Sequence, residues 1–266
     1  MDEEYFSIKE QAEKFLKEEG RKLQSYAFLY SLFADNFITP FWEKYAYLYN
    51  RESVLINSSV AHTDLIENKP ATRAFRAAHI TYIEVLSHLA IDRQTFKPLG
   101  GGLLCARHYD KMYAVTRIPE EQVDYLKNYG ISRHIVMLHN GILFKVQICD
   151  NENNMYSIEQ LAKRRFFLEN PVNRKTLQWI ESAVFFLIFD DADDYGYDQD
   201  DPDIFSNFLR NMLTGNGSNR WADKSLNYIV SKNARCGGTT EHSIADGSEF
   251  DHILENFVYL DTQVLK

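Results

Sequence analysis

The sequence has little cysteine and no long apolar run, and each shortage excludes a class of protein. Only three of its 266 residues are cysteines, Cys105, Cys149 and Cys236. They show no C-x-x-C spacing, and an odd number cannot all pair, so we expect a reducing compartment and no zinc site. The longest apolar run is AVFFLIF at residues 183–189. It is far shorter than the roughly 18 residues that cross a bilayer, so it predicts a buried strand.

The sequence also lacks an excess of basic residues, because 29 Lys and Arg stand against 38 Asp and Glu, a formal net charge of −9. A nucleic-acid-binding protein normally carries a basic patch, so we expect no nucleic-acid partner. The N-terminal stretch MDEEYFSIKEQAEKF is acidic and is neither a secretory signal nor an Arg-rich transit peptide. The sequence alone therefore predicts a soluble, cytoplasmic chain with no membrane span. Its 45% hydrophobic content is that of a globular protein.

The first third of the chain has mostly helical periodicity. Apolar residues recur at helical spacing over residues 3–34, with Gly20 separating two helices, and a third helical piece follows Pro40. We interpret the many aromatic residues here as packing residues rather than ligand contacts. Residues 54–60 read as a short extended run, and residues 63–90 as a long helix with Pro70 near its start.

The clearest local signal is a β-hairpin. Residues 134–138 and 142–149 are two apolar runs joined by Asn140-Gly141, the dipeptide most typical of tight hairpin turns. Further predicted elements are helices at 157–168, 173–183, 204–213 and 251–259, and strands at 183–189, 227–231 and 237–241. Helices and strands alternate, so the predicted class is α/β, with a mixed sheet flanked by helices.

Two motifs resemble ligand-binding loops but lack an essential residue. Asp191-x-Asp193 imitates the start of an EF-hand, yet Pro202 stands where the bidentate Glu is required. The glycines at 100–102 are not followed by Lys-Ser or Lys-Thr, as a phosphate-binding P-loop would be. We therefore expect no metal site and no nucleotide cradle.

The candidate catalytic motif is His242-x-x-x-Asp246-Gly247, at the end of residues 214–247. A histidine with a carboxylate close by suits a general base, because small environmental effects keep the imidazole neutral at working pH. A structural histidine at a strand end and a turn aspartate before glycine are the alternatives. Ser243 adjoins His242 but would point to the opposite face of a strand, so a Ser-His-Asp hydrolase is disfavoured.

Several motifs together resemble the choline/carnitine acyltransferase family. N-R-W-x-D-K at residues 219–224 precedes E-H-x-x-x-D at residues 241–246, as in that family. Further matches in the same order lie at residues 42–48 (W-E-x-Y-x-Y-L), 55–59, 97–99 with Cys105, 117–119 (R-I-P) and 134–146. Within the family, residues 196–198 and 215–216 most resemble the outer-mitochondrial-membrane carnitine palmitoyltransferase type.

The resemblance implies a fold, a reaction and its residues. The fold would be half of a two-domain, chloramphenicol acetyltransferase-like enzyme. The reaction would move a long-chain fatty acyl group between coenzyme A and carnitine, with His242 as general base and Asp246 as its acidic partner. Acyl-CoA and carnitine would be substrates, with no permanently bound cofactor. The family type also implies fatty acid metabolism at the cytosolic face of the mitochondrial outer membrane.

The sequence departs from the family pattern in length. It looks like an N-terminal half, and a segment resembling L-T-x-x-x-R-x-x-W-A is missing between residues 156 and 173. We therefore expect residues 1–60 to form a helical segment that packs on an absent C-terminal domain, and residues 61–266 to form the catalytic half. Two alternatives stay open: a catalytically inactive fragment or pseudoenzyme of the family, and a partner-binding module marked by a large apolar patch.

The remaining motif residues carry structural expectations. We expect Arg220 and Asp223 to pair at a domain junction, with Lys224 also structural, rather than to contact the coenzyme. Trp221 is expected in the core. Two further residues complete the set: Cys105 should behave as a small buried hydrophobe, and His139, beside the hairpin turn, should be exposed. Arg117 could pair with an acidic group near the substrate tunnel or lie on the surface.

Overall fold

A computed structural model of the chain describes residues 2–63, 72–150, 154–158, 173–192, 196–215 and 217–264. The chain divides into two compact units, Met1–Ala46 and Tyr47–Lys266. The predicted helix at 157–168 lies outside the described residues from position 159 onward, as does Asp193 of the EF-hand-like motif.

The first unit is helical, as predicted. Its elements are α1 (Asp2–Lys17), α2 (Glu19–Ser31), α3 (Thr39–Phe41) and the start of a π-helical segment, Trp42–Leu48. The break between α1 and α2 falls at Glu18, two residues before the predicted Gly20, which lies inside α2. A series of ring contacts joins Tyr26, Tyr30, Phe41 and Tyr45, with centroids 5.9–6.4 Å apart.

Many large apolar side chains of this unit are exposed, among them Phe6, Leu16 and Phe33. Such a surface is what the partner-binding alternative requires. Nothing in the structure identifies what covers it, and the expected packing of residues 1–60 on a further domain stays a prediction.

The second unit is built on a six-stranded mixed sheet in the order β1-β8-β7-β6-β4-β5. The strands are β1 (Val60–Thr63), β4 (His134–His139), β5 (Ile142–Gln147), β6 (Phe186–Phe189), β7 (Leu226–Val230) and β8 (Cys236–Thr240). β4, β6 and β7 run parallel, and the other three pairings are antiparallel. A separate antiparallel pair consists of β2 (Val115–Ile118) and β3 (Tyr125–Asn128).

Helices cover both faces of the six-stranded sheet. The helices of this unit are α4 (Val54–Asn57), α5 (Arg73–Asp92), α6 (Asn173–Ser182), α7 (Pro202–Thr214) and α8 (Gly247–Tyr259), with 3-10 turns at Leu99–Gly102 and Arg107–Lys111 and a π-helical end at Leu260–Val264. On one face α5 and α8 pack against alternate strand residues such as Leu187 and Tyr228. On the other, α6 and α7 pack against their neighbours Phe186 and Ile229. Because successive strand residues point to opposite faces, each face of the sheet has its own apolar residues and its own helices. A mixed sheet flanked by helices confirms the predicted α/β class.

The predicted hairpin is β4–β5. His139 pairs with Ile142, so Asn140 and Gly141 are the two central turn residues. Both have positive φ, 49° and 73°. This is the geometry of a type I′ turn, which matches the right-handed twist of the flanking strands and explains why Asn-Gly occurs here.

Two sequence predictions between residues 54 and 90 were wrong. Residues 54–57 form the short helix α4 instead of an extended run, and the strand begins only at Val60. Thr63 ends β1 and does not begin a helix; α5 starts at Arg73, after the N-cap Thr72, whose side chain accepts a hydrogen bond from the Phe75 amide. The reason is tertiary: residues 60–63 pair with β8 from Val60–Thr240 to Thr63–Gly237. Local sequence propensity contains no information about this long-range strand pairing.

The other elements agree with their predictions to within a few residues. α6, β6, α7 and the β7–β8 hairpin are all present, and the hairpin turn lies at Ser231–Ala234, around the predicted Lys232-Asn233. In the described ranges, no helix combines the length and apolar character needed to cross a membrane. Those same ranges contain no group of three or more His, Cys, Asp or Glu residues placed to hold a metal ion.

Candidate active site

His242 lies just beyond the end of β8, the second strand of the six-stranded sheet, between β1 and β7. Thr240, the last residue of β8, pairs with Val60 on one side and Leu226 on the other. The Glu241 amide donates to the Ser225 carbonyl, 3.1 Å away. Because the backbone is held from both sides up to this point, His242 projects from a rigid base.

The side chain of His242 meets Tyr47. The Tyr47 hydroxyl forms a short hydrogen bond with Nδ1 of His242, and the two ring centroids are 5.1 Å apart. The Phe250 ring of α8 lies against the imidazole with a centroid distance of 6.3 Å. Both rings shield the half-buried imidazole from water.

Burial lowers the pKa of His242 below its ordinary value, and the negative charge of Asp246 opposes that effect. Burial is the larger influence, so the imidazole is neutral at neutral pH. The pKa of Tyr47 is raised by burial and by the charges of Asp246 and Glu241. Its hydroxyl is therefore protonated and able to hydrogen-bond.

Asp246 is the N-cap of α8. Its side chain accepts a hydrogen bond from the Gly247 amide at 2.8 Å, and it forms a capping box with Glu249, whose carboxylate accepts from the Asp246 amide at 3.1 Å. The sequence left open a structural aspartate before glycine as the alternative to a catalytic one, and the N-cap is such a structural role. It satisfies amides that a helix start leaves unpaired. Its charge still acts on His242, as the pKa of the histidine shows.

Ser243 is hydrogen-bonded to Glu241. Its buried hydroxyl binds the Glu241 carboxylate, and its amide donates to the same oxygen at 3.1 Å. The Ser243 hydroxyl is thus engaged by Glu241, and no described hydrogen bond joins it to His242.

Arg117 on β2 is buried and pairs with acidic groups, the first of the two alternatives left open by the sequence. Its Nε donates to Asp124 at 2.8 Å, and its Nη1 lies 3.4 Å from Glu241. Its Nη2 donates to the main-chain carbonyls of Tyr47 and Asn50 at 3.1 and 3.3 Å.

The N-R-W-x-D-K residues do not converge on His242. Arg220 donates to the carbonyls of Asn211 and Met212 in α7. Its acidic partner is Asp190, with 3.6 Å between Nη1 and Oδ2, and not the expected Asp223. The sequence separation was misleading because Arg220 turns toward α7. Lys224 is fully buried, as its structural role requires, and donates to the Glu181 carbonyl at 2.7 Å. Trp221 packs against the α6–α7 side of the core as expected.

Two expectations for single residues were wrong. Cys105 is exposed, not buried, because it lies in the irregular stretch after the glycine-rich 3-10 turn rather than in a core element. His139 is half-buried, not exposed: its Nδ1 lies 3.5 Å from the Phe189 carbonyl and 3.9 Å from an Asp191 carboxylate oxygen. The parallel pairing of β4 with β6 brings these groups to the hairpin.

An apolar cavity of about 320 Å³ adjoins the site. β1, β7, α7 and the first turns of α8 line it, and Phe250, which contacts His242, forms part of its wall. Leu226, Ile253 and Leu254 add apolar surface. Phe250 therefore connects the imidazole of His242 to this cavity, although His242 itself does not line it.

Residues 1–165 and 162–265 match the family model of choline/carnitine O-acyltransferases. The chain belongs to this family. The two matched pieces meet at residues 162–165, inside the interval where the sequence predicts an internal deletion.

Known choline/carnitine acyltransferases align over most of this chain. It is 30% identical over 297 residues to the muscle isoform of carnitine O-palmitoyltransferase 1 from Rattus norvegicus, covering 98% of this chain and 38% of the relative. It is 30% identical over 281 residues to the human liver isoform, covering 91% and 36%. A carnitine O-acetyltransferase from Columba livia is 27% identical over 271 residues, covering 83% and 42%. The chain thus spans well under half the length of these relatives.

Tyr47 is the site residue that sequence reasoning missed. It is the last tyrosine of the W-E-x-Y-x-Y-L motif, so the motif contained it, but its role was assigned to packing. A distance of 195 positions separates it from His242, and no local pattern reports a contact over that span.

Proposed function

We propose that His242 is the general base of an acyl transfer between coenzyme A and carnitine. The base would take the proton of the carnitine hydroxyl as that oxygen attacks the thioester carbonyl, and the coenzyme A thiolate would leave. The transfer is direct, so no serine or cysteine nucleophile is required. The observation that carries the proposal is the Tyr47–His242 pair, in a chain of the acyltransferase family.

The Tyr47 contact selects which imidazole nitrogen can act. A neutral histidine carries its proton on one nitrogen and is basic at the other. If Nδ1–H donates to the Tyr47 oxygen, the lone pair of Nε2 is available for the substrate hydroxyl. Tyr47 would then hold the ring and its tautomer, the role that a carboxylate has in serine hydrolases.

Asp246 would support the base by charge rather than by direct contact. During proton transfer the imidazole becomes an imidazolium, and the Asp246 carboxylate raises the affinity of His242 for that proton. Burial pushes the pKa in the other direction and keeps the base free between turnovers. The Asp246 carboxylate would thus limit how far burial lowers the basicity of His242.

The apolar cavity beside Phe250 would receive part of the fatty acyl chain. An acyl chain leaves water most favourably for an apolar wall, and Phe250 both lines this cavity and lies against the ring of the proposed base. Acyl-CoA and carnitine would both be substrates, with no permanently bound cofactor. Carnitine as acceptor, fatty acid metabolism and the cytosolic face of the mitochondrial outer membrane are further parts of the proposal that rest on family resemblance.

The test is thiol release from palmitoyl-CoA in the presence and absence of carnitine. We expect carnitine-dependent release that falls by about 100-fold or more in His242→Ala, the usual size of a general-base effect. His139→Ala is the matched control, because it removes another half-buried histidine, one that contacts the Phe189 carbonyl instead.

Two results would overturn the proposal. Release by the wild-type chain no faster than without protein would support the inactive-member alternative, which the partial coverage of the relatives motivates. Equal release by wild type and His242→Ala would show activity that does not use this base.

A further inference from the structure

Arg117 connects the two halves of the Tyr47–His242 pair. On one side its Nη2 binds the carbonyl of Tyr47 itself and that of Asn50, three residues later. On the other its Nη1 reaches Glu241, the residue directly before His242. One guanidinium thus touches the backbone that carries the phenol and the side chain next to the imidazole.

We propose that Arg117 is a positioning residue that holds Tyr47 and His242 in register, and this inference rests on the proposed function of His242. Arg117 is buried, with only 2% of its surface exposed, and has no direct contact with the imidazole ring among those described. It therefore acts through Tyr47 and Glu241.

The charges around Arg117 form an alternating series. Exposed Arg51 donates to Asp124 at 2.6 Å, Asp124 accepts from Arg117, and Arg117 faces Glu241. Asp124 is further fixed by the Glu120 amide at 3.0 Å, and its own amide donates to the Leu48 carbonyl at 3.0 Å. A buried charge is tolerated only when it is paired and hydrogen-bonded, which is the situation of Arg117.

The backbone of Arg117 is fixed as firmly as its side chain. Its amide donates to the Asp223 carbonyl at 2.8 Å, and the Ser225 amide donates to the Val115 carbonyl at 3.2 Å. Ser225 in turn accepts from the Glu241 amide. β2, the segment before β7 and the end of β8 therefore form one hydrogen-bonded frame, and the guanidinium extends from it to the 47–50 segment.

The geometry requires arginine and not merely a positive charge. A planar guanidinium has five N–H donors in a fixed fork, and this one contacts four acceptors in different directions. A lysine ammonium is a point charge on a flexible stem and cannot span them. Arg117→Lys therefore preserves the charge near His242 and removes the positioning.

The experiment follows the histidine ring by NMR in the full chain labelled with ¹⁵N-histidine, assigned through His242→Ala. In Arg117→Lys we expect the pKa of His242 to rise toward about 6.5 as the ring loses its enclosure, and the tautomer preference to weaken. Carnitine-dependent thiol release should fall by about 100-fold, the size expected for a misplaced catalytic group. Arg220→Lys is the control, since it alters another buried arginine whose partners are the α7 carbonyls.

An Arg117→Lys chain that folds and keeps the wild-type pKa and tautomer of His242 would overturn the inference. If that variant does not fold, Arg117→Gln combined with Glu241→Gln replaces the ion pair by a neutral pair of similar size, and the same NMR comparison decides. The NMR result stands without turnover. A chain that shows the His242 change but no thiol release would contradict the proposed function and leave the positioning role of Arg117 intact.

Discussion

The Tyr47 hydroxyl is hydrogen-bonded to Nδ1 of His242 although the two residues lie 195 positions apart. Tyr47 comes from the π-helical segment Trp42–Leu48, and His242 follows the end of β8, which lies between β1 and β7. Arg117 binds the Tyr47 carbonyl and the neighbour of His242. The candidate site therefore forms where three distant parts of one unit meet: the π-helical segment, β2 and the residues after β8. Its chemistry depends on the relative positions of these parts.

Removing the Tyr47 hydroxyl should allow both neutral tautomers of the His242 imidazole to be populated. In Tyr47→Phe the ring contact with His242 remains, but Nδ1 loses its hydroxyl partner. We expect ¹⁵N shifts of His242 to move toward a mixture of both tautomers and thiol release to fall by about 10-fold or more. Tyr49→Phe, an exposed tyrosine two positions later, serves as the control. Unchanged ¹⁵N shifts in Tyr47→Phe would show that the contact does not set the tautomer.

Neutralising Asp246 should make His242 a weaker base. The Asp246 carboxylate raises the pKa of His242 against the larger effect of burial, so Asp246→Asn should lower that pKa further. Thiol release requires the neutral imidazole, so activity is lost as the pH falls through this pKa, and the acid limb should move to lower pH in the variant. Asparagine caps a helix as well as aspartate does, so α8 is preserved.

An NMR titration of His242 in Asp246→Asn measures this change without turnover. A pKa equal to or above that of the wild type would contradict the proposed electrostatic role. Circular dichroism of the same sample verifies that the helix content is unchanged.

The buried carboxyl of Glu84 should make folding less favourable as the pH rises. Glu84 is fully buried on α5, accepts hydrogen bonds from the hydroxyls of Tyr113 and Tyr228, and has a pKa raised by burial from 4.5 to about 7. Between pH 4.5 and 7 the folded chain holds a proton that the unfolded chain has lost. This contribution to stability is complete below pH 4.5 and disappears as the pH rises to 7, a change of roughly 3 kcal/mol.

Glu84→Gln should remove this dependence. We expect the difference in unfolding free energy between wild type and variant, measured by urea denaturation from pH 5 to 8, to move in favour of the variant as the pH increases. The difference is the useful quantity because the buried histidines His62, His88 and His134, each with a pKa lowered by burial to about 4, give the opposite slope below pH 6.5 in both chains. A difference that is constant with pH would contradict the prediction.

Replacing Gly141, the second residue of the hairpin turn, by a residue with a side chain should lower the free energy of unfolding. Gly141 has φ of +73°, and a Cβ there would meet no atom within 4 Å, so Gly141→Ala tests backbone conformation alone. We expect a loss of about 1 kcal/mol in unfolding free energy. Gly247→Ala is the matched control, since Gly247 also has open space and lacks a positive φ; its change should stay within about 0.5 kcal/mol. Equal effects of the two substitutions would contradict the assignment of strain to the turn.

Local patterns in the sequence were sufficient for much of the fold. The Asn140-Gly141 turn, the alternation of helices and strands, and the apolar run that became β6 were all predicted, because each depends on residues close together in the chain. The errors at residues 54–63 arose where a strand is defined by a distant partner. Val60–Thr63 is extended because it pairs with β8, whereas residues 54–57, although more apolar, belong to no strand pair and form the short helix α4.

The same distinction divides the candidate site. The ordered motifs led to the choline/carnitine acyltransferase family, and His242 and Asp246 were chosen from their spacing together with that resemblance. The meeting of Tyr47 with His242, the four contacts of Arg117 and the turning of Arg220 toward α7 followed only from the folded chain. A short motif records which residues are near in sequence, whereas the contacts of Arg117 depend on how β2, the segment before β7 and the end of β8 are aligned. That alignment is a property of the whole packed unit.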